Sequence, residues 1–251
     1  KMRQYSQASS KAADFVLYHL RRDDGRLLAR YRDGEAKYPG YLDDYAFFVW
    51  GLIELYEATF ELRYLKLALE LNEEMIRLFW DDENGGFFFY GHDSEQLFSR
   101  IKEIYDGAIP SGNSVAALNL FRLSRFTGRK DLVQRAEEQL QAFAGTVSGY
   151  PAGYAMFMMA VSFYFGPSQE IVVAGSKERE DTKEMLETAQ RAFLPNAVLI
   201  FHPADADRAE VQKLLPVTAG KDTVSGRAAV YICENFACQA PSTEPSVLHS
   251  L

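Results

Sequence analysis

Tyr41-Leu-Asp-Asp-Tyr-Ala-Phe-Phe-Val-Trp50 sets two acids at the head of a run that carries no charge until Glu54. A Pro39-Gly40 turn signal precedes it. From Asp44 to about Ala58, apolar residues fall on nearly every face of a helix: Phe47, Phe48, Val49, Trp50, Leu52, Ile53, Leu55 and Tyr56. That pattern predicts a helix buried on most sides. After Thr59 the pattern changes. Tyr64, Leu65, Ala68, Leu71, Met75 and Phe79 form one stripe, and charged residues fill the rest. The second helix is therefore amphipathic and lies on the outside.

The alternation recurs further along. A shift of 68 residues puts Leu52 on Leu120, Leu55 on Leu123, Thr59 on Thr127, Leu65 on Val133 and Ala68 on Ala136, with no gap. A mostly apolar helix is expected from Ser114 to Arg125, an amphipathic one from about Arg129 to Phe143, and a further buried one across the uncharged Pro151–Phe165. Asp23-Asp24-Gly25 near the start repeats the turn pattern of Asp81-Asp82 and Gly85, after a helix over about 9–20. Phe87–Tyr90 and 26–31 read as short strands. Repeated hairpins of one buried and one amphipathic helix build either an open solenoid or a closed α/α toroid. The fully apolar inner helices favour the toroid. About three hairpins are present, so residues 1–166 read as a partial toroid.

Beyond Gly166-Pro167 the pattern shifts to β-branched runs. Strands are expected at 170–175, 196–201 and 228–233, with a helix over 181–193. This order predicts a small α/β unit with a parallel pair over 167–238. Asp205 and Asp207 with Arg208 read as a solvated helix start. Residues 239–251, with two prolines, read as an extended tail.

The chain's 251 residues are 47% hydrophobic and carry a net charge of −8. That composition supports a sizeable core and argues against a nucleic-acid surface, which needs a basic stripe. No apolar run reaches membrane-spanning length. The first residues, Lys1-Met-Arg-Gln-Tyr5, hold no apolar leader, which gives a cytoplasmic expectation. Cys233 and Cys238 stand in a Cys-x4-Cys spacing with no second pair and no nearby His. They are read as two reduced cysteines rather than a zinc site. No cofactor or metal motif is present: Asp106-Gly107…Ser111-Gly112 is not followed by Gly-Lys-Ser/Thr and is no phosphate loop.

The shift that aligns helices also aligns loops. Asp43, Asp44 and Tyr45 fall on Ser111, Gly112 and Asn113, and Tyr154 begins the next buried helix. Three helix N-termini would then share one rim lined by Tyr41, Asp43, Asp44, Asp106, Ser111, Asn113, Tyr150 and Tyr154. Carboxylates and amides suit sugar hydroxyls, and aromatic faces suit sugar C–H faces. Asp43, Asp44 and Asp106 are the acid/base candidates; Tyr41, Ser111, Asn113, Tyr150 and Tyr154 are the ligand contacts. Asp43 and Asp44 point about 100° apart on a helix, so one of them would pair with Asp106. The competing reading makes Asp43 or Asp44, Ser111 and Asn113 helix caps.

Gly40-Tyr-Leu-Asp-Asp-Tyr-Ala46, Tyr105-Asp-Gly-Ala-Ile-Pro-Ser-Gly-Asn-Ser114 and Cys233-Glu-Asn-Phe-Ala-Cys-Gln-Ala-Pro241 resemble a family that pairs a thioredoxin-like domain with an α/α toroid. Its mammalian member is called a spermatogenesis-associated protein. The resemblance implies a six-hairpin toroid similar to N-acylglucosamine 2-epimerases and six-hairpin glycosidases, with a thioredoxin-like domain upstream. The histidines that such epimerases use as bases find no clear match. If the chain is an enzyme, an isomerase or glycosidase-like activity is the expectation. The alternative is a non-enzymatic scaffold serving a thioredoxin-like domain or the rest of the toroid, and open edges would also allow homo-oligomers.

Overall fold

The computed structural model describes residues 3–95, 98–204, 208–234 and 237–250. It is mainly α, 54% helical, with a small α/β part. The chain divides into two compact units: Met2–Phe121 with Asp131–Val161, and Arg122–Lys130 with Ser162–Leu251.

In the first unit, α1 (Arg3–His19) leads to a hairpin of β1 (Leu28–Arg32) and β2 (Glu35–Pro39). Asp33 and Gly34, both at positive φ (53° and 81°), make the two-residue turn whose twist suits such a hairpin. Next come α2 (Leu42–Thr59), packed along α3 (Leu62–Phe79), then α4 (Gly112–Thr127), α5 (Lys130–Gly149) and α6 (Ala155–Phe165), of which the stretches from Arg122 to Lys130 and from Ser162 on count with the second unit. The core holds Tyr45, Tyr56, Tyr64, Phe79, Phe87 and Phe157, each with under 2% of its surface exposed. Each such side chain contributes roughly 1.5–3 kcal/mol of burial.

The 68-residue repeat extends to individual hydrogen bonds. Thr59 Oγ1 donates to the Leu55 carbonyl at 2.7 Å, and Thr127 Oγ1 donates to the Leu123 carbonyl at 2.7 Å. The next residue adopts a left-handed conformation in both copies, Phe60 at φ 59° and Gly128 at φ 68°. The N–H beyond it, of Glu61 or Arg129, reaches the threonine oxygen. α3 and α5 then start 68 residues apart. The fainter copy is a turn closed by a bridge. Arg21 pairs with Leu27 across Asp23-Asp24-Gly25, as Trp80 pairs with Phe87 across Asp81–Gly86.

Three expectations need correction. Phe87–Tyr90 is not a strand. Beyond the single bridge at Phe87, the segment is held by hydrogen bonds from the Leu42 N–H to the Phe89 carbonyl and from the Phe89 N–H to the Ile101 carbonyl. α6 is not the buried helix expected: Met159 is 48% and Phe165 78% exposed, whereas α2 is buried on most sides with Phe47 and Phe48 half-buried. Pro151–Gly153 forms a turn of 3-10 helix ahead of α6.

The second unit is a four-stranded sheet in the order β4-β3-β5-β6. β3 (Gln169–Gly175) crosses through α7 (Glu180–Arg191) to the parallel β4 (Ala197–Pro203). β5 (Ala229–Glu234) and the two-residue β6 (Ala237–Cys238) add antiparallel. A short α8 (Arg208–Leu214) precedes β5. Asp205 and Asp207 lie outside the described residues. The expected 239–251 tail is not free over its described residues: the Ser242 N–H donates to the Val230 carbonyl at 3.0 Å, and Leu248 is buried in a closing 3-10 turn. Cys233 and Cys238 oppose each other across β5 and β6 and are joined in a disulfide. This overturns the reading of two reduced cysteines; the strand register that brings them together is not visible in their spacing.

Candidate functional site

The site lies in the first unit. A cleft of about 500 Å³ is bounded by Val16 of α1, Leu20 just past its end, Leu27–Ala29, Ile109, and Asp43, Asp44, Phe47 and Phe48 of α2. Asp43 and Phe47, and Asp44 and Phe48, are each one helical turn apart and share a face. The cleft is thus mostly apolar, with two carboxylates at its helix mouth.

The two acids are held differently. Asp44 Oδ2 accepts the Tyr41 N–H at 2.7 Å, one half of the reciprocal capping arrangement that suits an acid at the third position of a helix. Burial pushes its pKa up, and the Tyr41 hydrogen bond and the Arg26 charge work against that. Asp43 leans on the next repeat. A Cβ on Gly112 would lie 2.3 Å from Asp43 Oδ1, so any larger residue there would displace the carboxylate. Oδ1 is buried with no hydrogen-bond partner. Burial is the largest cause that pushes the Asp43 pKa up to about 6. A hydrogen bond from the Gly112 backbone to the carboxylate lowers it, while the charges of Glu103 and Asp44 add to the rise. A half-buried acid that titrates near neutrality on a cleft wall is what proton transfer needs.

Asp106 serves the backbone. Its Oδ2 accepts the N–H groups of Met156 at 2.8 Å and Phe157 at 3.1 Å, and its Oδ1 accepts the Ser111 N–H at 2.9 Å. It caps α6 from a distant loop, where a negative charge meets the positive end of the helix. Asn113 has no exposed surface. Its Oδ1 accepts the Phe87 N–H at 2.8 Å, and its Nδ2 donates to the Phe87 and Glu103 carbonyls. Tyr45, its counterpart in the repeat, does the same task with a phenol: its OH accepts the Leu27 N–H at 2.8 Å and an Arg26 N–H at 3.2 Å. Each residue ties its helix mouth to the extended segment before it.

Ser111 Oγ is buried and donates to Ser114 Oγ at 2.9 Å. Tyr41 stacks on Phe89 with ring centroids 5.1 Å apart. Tyr154 meets Tyr105 edge-on at 5.9 Å, and Tyr150 is exposed. Of the eight candidate residues, the cleft takes in Asp43 and Asp44 and leaves the other six outside its lining. Sequence reasoning missed Glu103, whose charge reaches Asp43, and Arg26, which is buried between the Tyr45 and Phe79 rings and paired with Asp93 at 2.9 Å. The i, i+4 relation of Asp43 to Phe47 was the available signal for the cleft wall. Nothing in sequence points at Glu103. Among the described residues, no group of three or more His, Cys, Asp or Glu is arranged to hold a metal ion, and no helix is long and apolar enough to cross a membrane.

The fold and site define a mainly helical repeat protein with a small α/β part and a half-buried acid over an apolar cleft. The chain has homologues among curated proteins. It is 37% identical to human spermatogenesis-associated protein 20 over 214 residues, which are 84% of this chain and 27% of the relative. The mouse protein of the same name is 39% identical over the same length. An uncharacterised protein of Caenorhabditis elegans is 25% identical over 247 residues, 94% of this chain and 33% of the relative. The chain therefore spans about a quarter to a third of the length of these relatives. No family model matches it.

Proposed function

We propose that the cleft at the mouth of α2 binds a sugar-like substrate in a cytoplasmic protein, with Asp43 as its acid/base group. The carrying observation is the state of Asp43: half-buried, one oxygen unpaired, and titrating at about 6. Phe47 and Phe48 on the same wall suit the apolar face of a sugar ring. Glu103, whose charge acts on Asp43, replaces Asp106 as the second carboxylate, because Asp106 is engaged with three backbone N–H groups. In this reading the helical unit is part of an α/α toroid of the kind found in carbohydrate-active isomerases and glycosidases. The likeness of arrangement is analogy and does not assign the chemistry.

The test is a thermal-shift screen of the full-length protein against a sugar and sugar-phosphate library, repeated with D43N. A ligand that stabilises the parent but not the variant supports the proposal. Ligands that bind both equally defeat the role of Asp43. The rival reading, a scaffold for a thioredoxin-like domain, is favoured by one specific observation: Asp44 and Asp106 are both used as caps. A screen without a single hit, together with co-purification of a thioredoxin-like domain lost on disrupting the cleft, would decide for the scaffold.

A further inference from the structure

We propose that the Cys233–Cys238 disulfide is a thiol–disulfide exchange site that accepts a dithiol, with the Cys238 sulfur attacked and Cys233 as the leaving group. Neither the cleft nor its proposed ligand enters this inference. β6 is the outermost strand of the sheet and only two residues long. Cys238 on it is exposed, whereas Cys233 on β5 is fully buried. A small nucleophile therefore reaches one sulfur and not the other, and access decides which sulfur is attacked.

The buried sulfur does not face a purely apolar wall. The β3–β5 register sets Glu170 opposite Cys233, and directly opposed residues carry Cβ atoms about 4.5–5.5 Å apart. Glu170 is fully buried and paired with Arg125 at 3.2 Å. A thiolate leaving Cys233 does so beside this ion pair. The Glu170 carboxylate opposes negative charge on that sulfur and its Arg125 partner offsets it in part, so Cys233 leaves as it takes up a proton.

The step balances. One sulfur of the dithiol, as thiolate, attacks Cys238 Sγ; the Sγ–Sγ bond breaks, and Cys233 departs as a thiolate that takes up a proton. The reagent's second thiol attacks the mixed disulfide, gives up its proton, and releases Cys238. The dithiol ends as a cyclic disulfide, oxidised by two electrons, and the protein holds two thiols.

The sheet does not depend on the crosslink. β5 is registered against β3 from Ala229 to Glu234. The segment after β6 is held by the Gln239 N–H to the Ile232 carbonyl at 3.0 Å and by both Val230–Ser242 bonds. The crosslink closes a separation of only five residues, so opening it releases little chain.

The test treats the folded protein with graded dithiothreitol in native buffer, traps thiols with N-ethylmaleimide, and reads intact mass beside near-UV circular dichroism. A second arm adds limiting glutathione and maps the mixed disulfide by peptide mass spectrometry. The expected result is maleimide on both cysteines with the dichroism unchanged, and glutathione on the Cys238 peptide. The proposal is overturned by a crosslink that opens only in unfolding urea, by glutathione on Cys233, or by free thiols that glutathione disulfide does not re-pair.

Discussion

Replacing Asp43 by Asn is expected to stabilise the protein at neutral pH, and the gain should depend on pH in a fixed direction. The folded pKa is raised from an ordinary 3.8 to about 6, chiefly by burial. A raised acid favours the fold only while it stays protonated. Below 3.8 the carboxyl is neutral in both states and costs nothing. Between 3.8 and about 6 the unfolded chain ionises first, so stability falls as pH rises, and above about 6 the loss is complete. At 1.36 kcal/mol per pH unit the full difference is about 3 kcal/mol, which partial exposure reduces to about 1–2 kcal/mol. The neutral amide should recover that amount above pH 7 and almost nothing at pH 4. The assay is urea unfolding of both proteins at pH 4, 5.5 and 7.5, taking the difference at each pH so that the other acids cancel. A gap that stays flat across pH, or a variant less stable at pH 7.5, refutes the assignment of a strained, half-buried carboxylate.

Four further outcomes follow from the same geometry. D106A removes the acceptor of three N–H groups, including two at the start of α6. It should cost about 1–2 kcal/mol, seen as a lower Tm; an unchanged Tm would contradict the capping role. N113A strands the buried Phe87 N–H and carbonyl and the Glu103 carbonyl and should cost about 2–4 kcal/mol, more than D106A in the same urea titration. The C233S/C238S double variant opens a loop of five-residue separation and should lose only about 2 kcal/mol while remaining folded by circular dichroism. G112A pushes a methyl group against Asp43 Oδ1. It should swing the carboxylate toward water, and the pH-dependent gain from D43N should then shrink in the G112A background.

The helices, and the pairing of α2 with α3, were legible because hydrophobic period and the 68-residue repeat agree. The recurrence of the Thr59 hydrogen bond at Thr127 shows that the repeat copies chain geometry as well as composition. The parallel pair of β3 and β4 was legible for the same reason, as two apolar runs around one amphipathic helix. The strand expected at Phe87–Tyr90 was not, because aromatic content alone does not supply a partner strand. The docked C-terminal segment and the disulfide depend on register, which a Cys-x4-Cys spacing does not disclose. At the site, sequence could place Asp43, Asp44 and Asp106 near helix mouths but could not tell a cap from an unpaired acid. That distinction turns on which N–H each oxygen meets.

The repeat explains why Asp43 does not cap its own helix. Under the 68-residue shift Asp44 corresponds to Gly112. In the first copy the acid folds back on the Tyr41 N–H and closes its own helix mouth. In the second copy there is no side chain at that position, and the space is filled by Asp43, pressed against the Gly112 backbone and the Leu42 side chain beside it. α4 takes its polar anchoring from Asn113 instead, one residue later, and from the Ser111–Ser114 pair. A strictly repeated acid at 112 would collide with Asp43. The two copies had to diverge there for a carboxylate to sit between them with one oxygen unsatisfied. An unsatisfied buried oxygen destabilises the fold, and the hydrogen bond from the Gly112 backbone offsets only part of the burial, since the Asp43 pKa stays raised. That cost, at an acid on the cleft wall whose pKa is raised to about 6, is the strongest physical reason to look for chemistry at Asp43 rather than at Asp44 or Asp106.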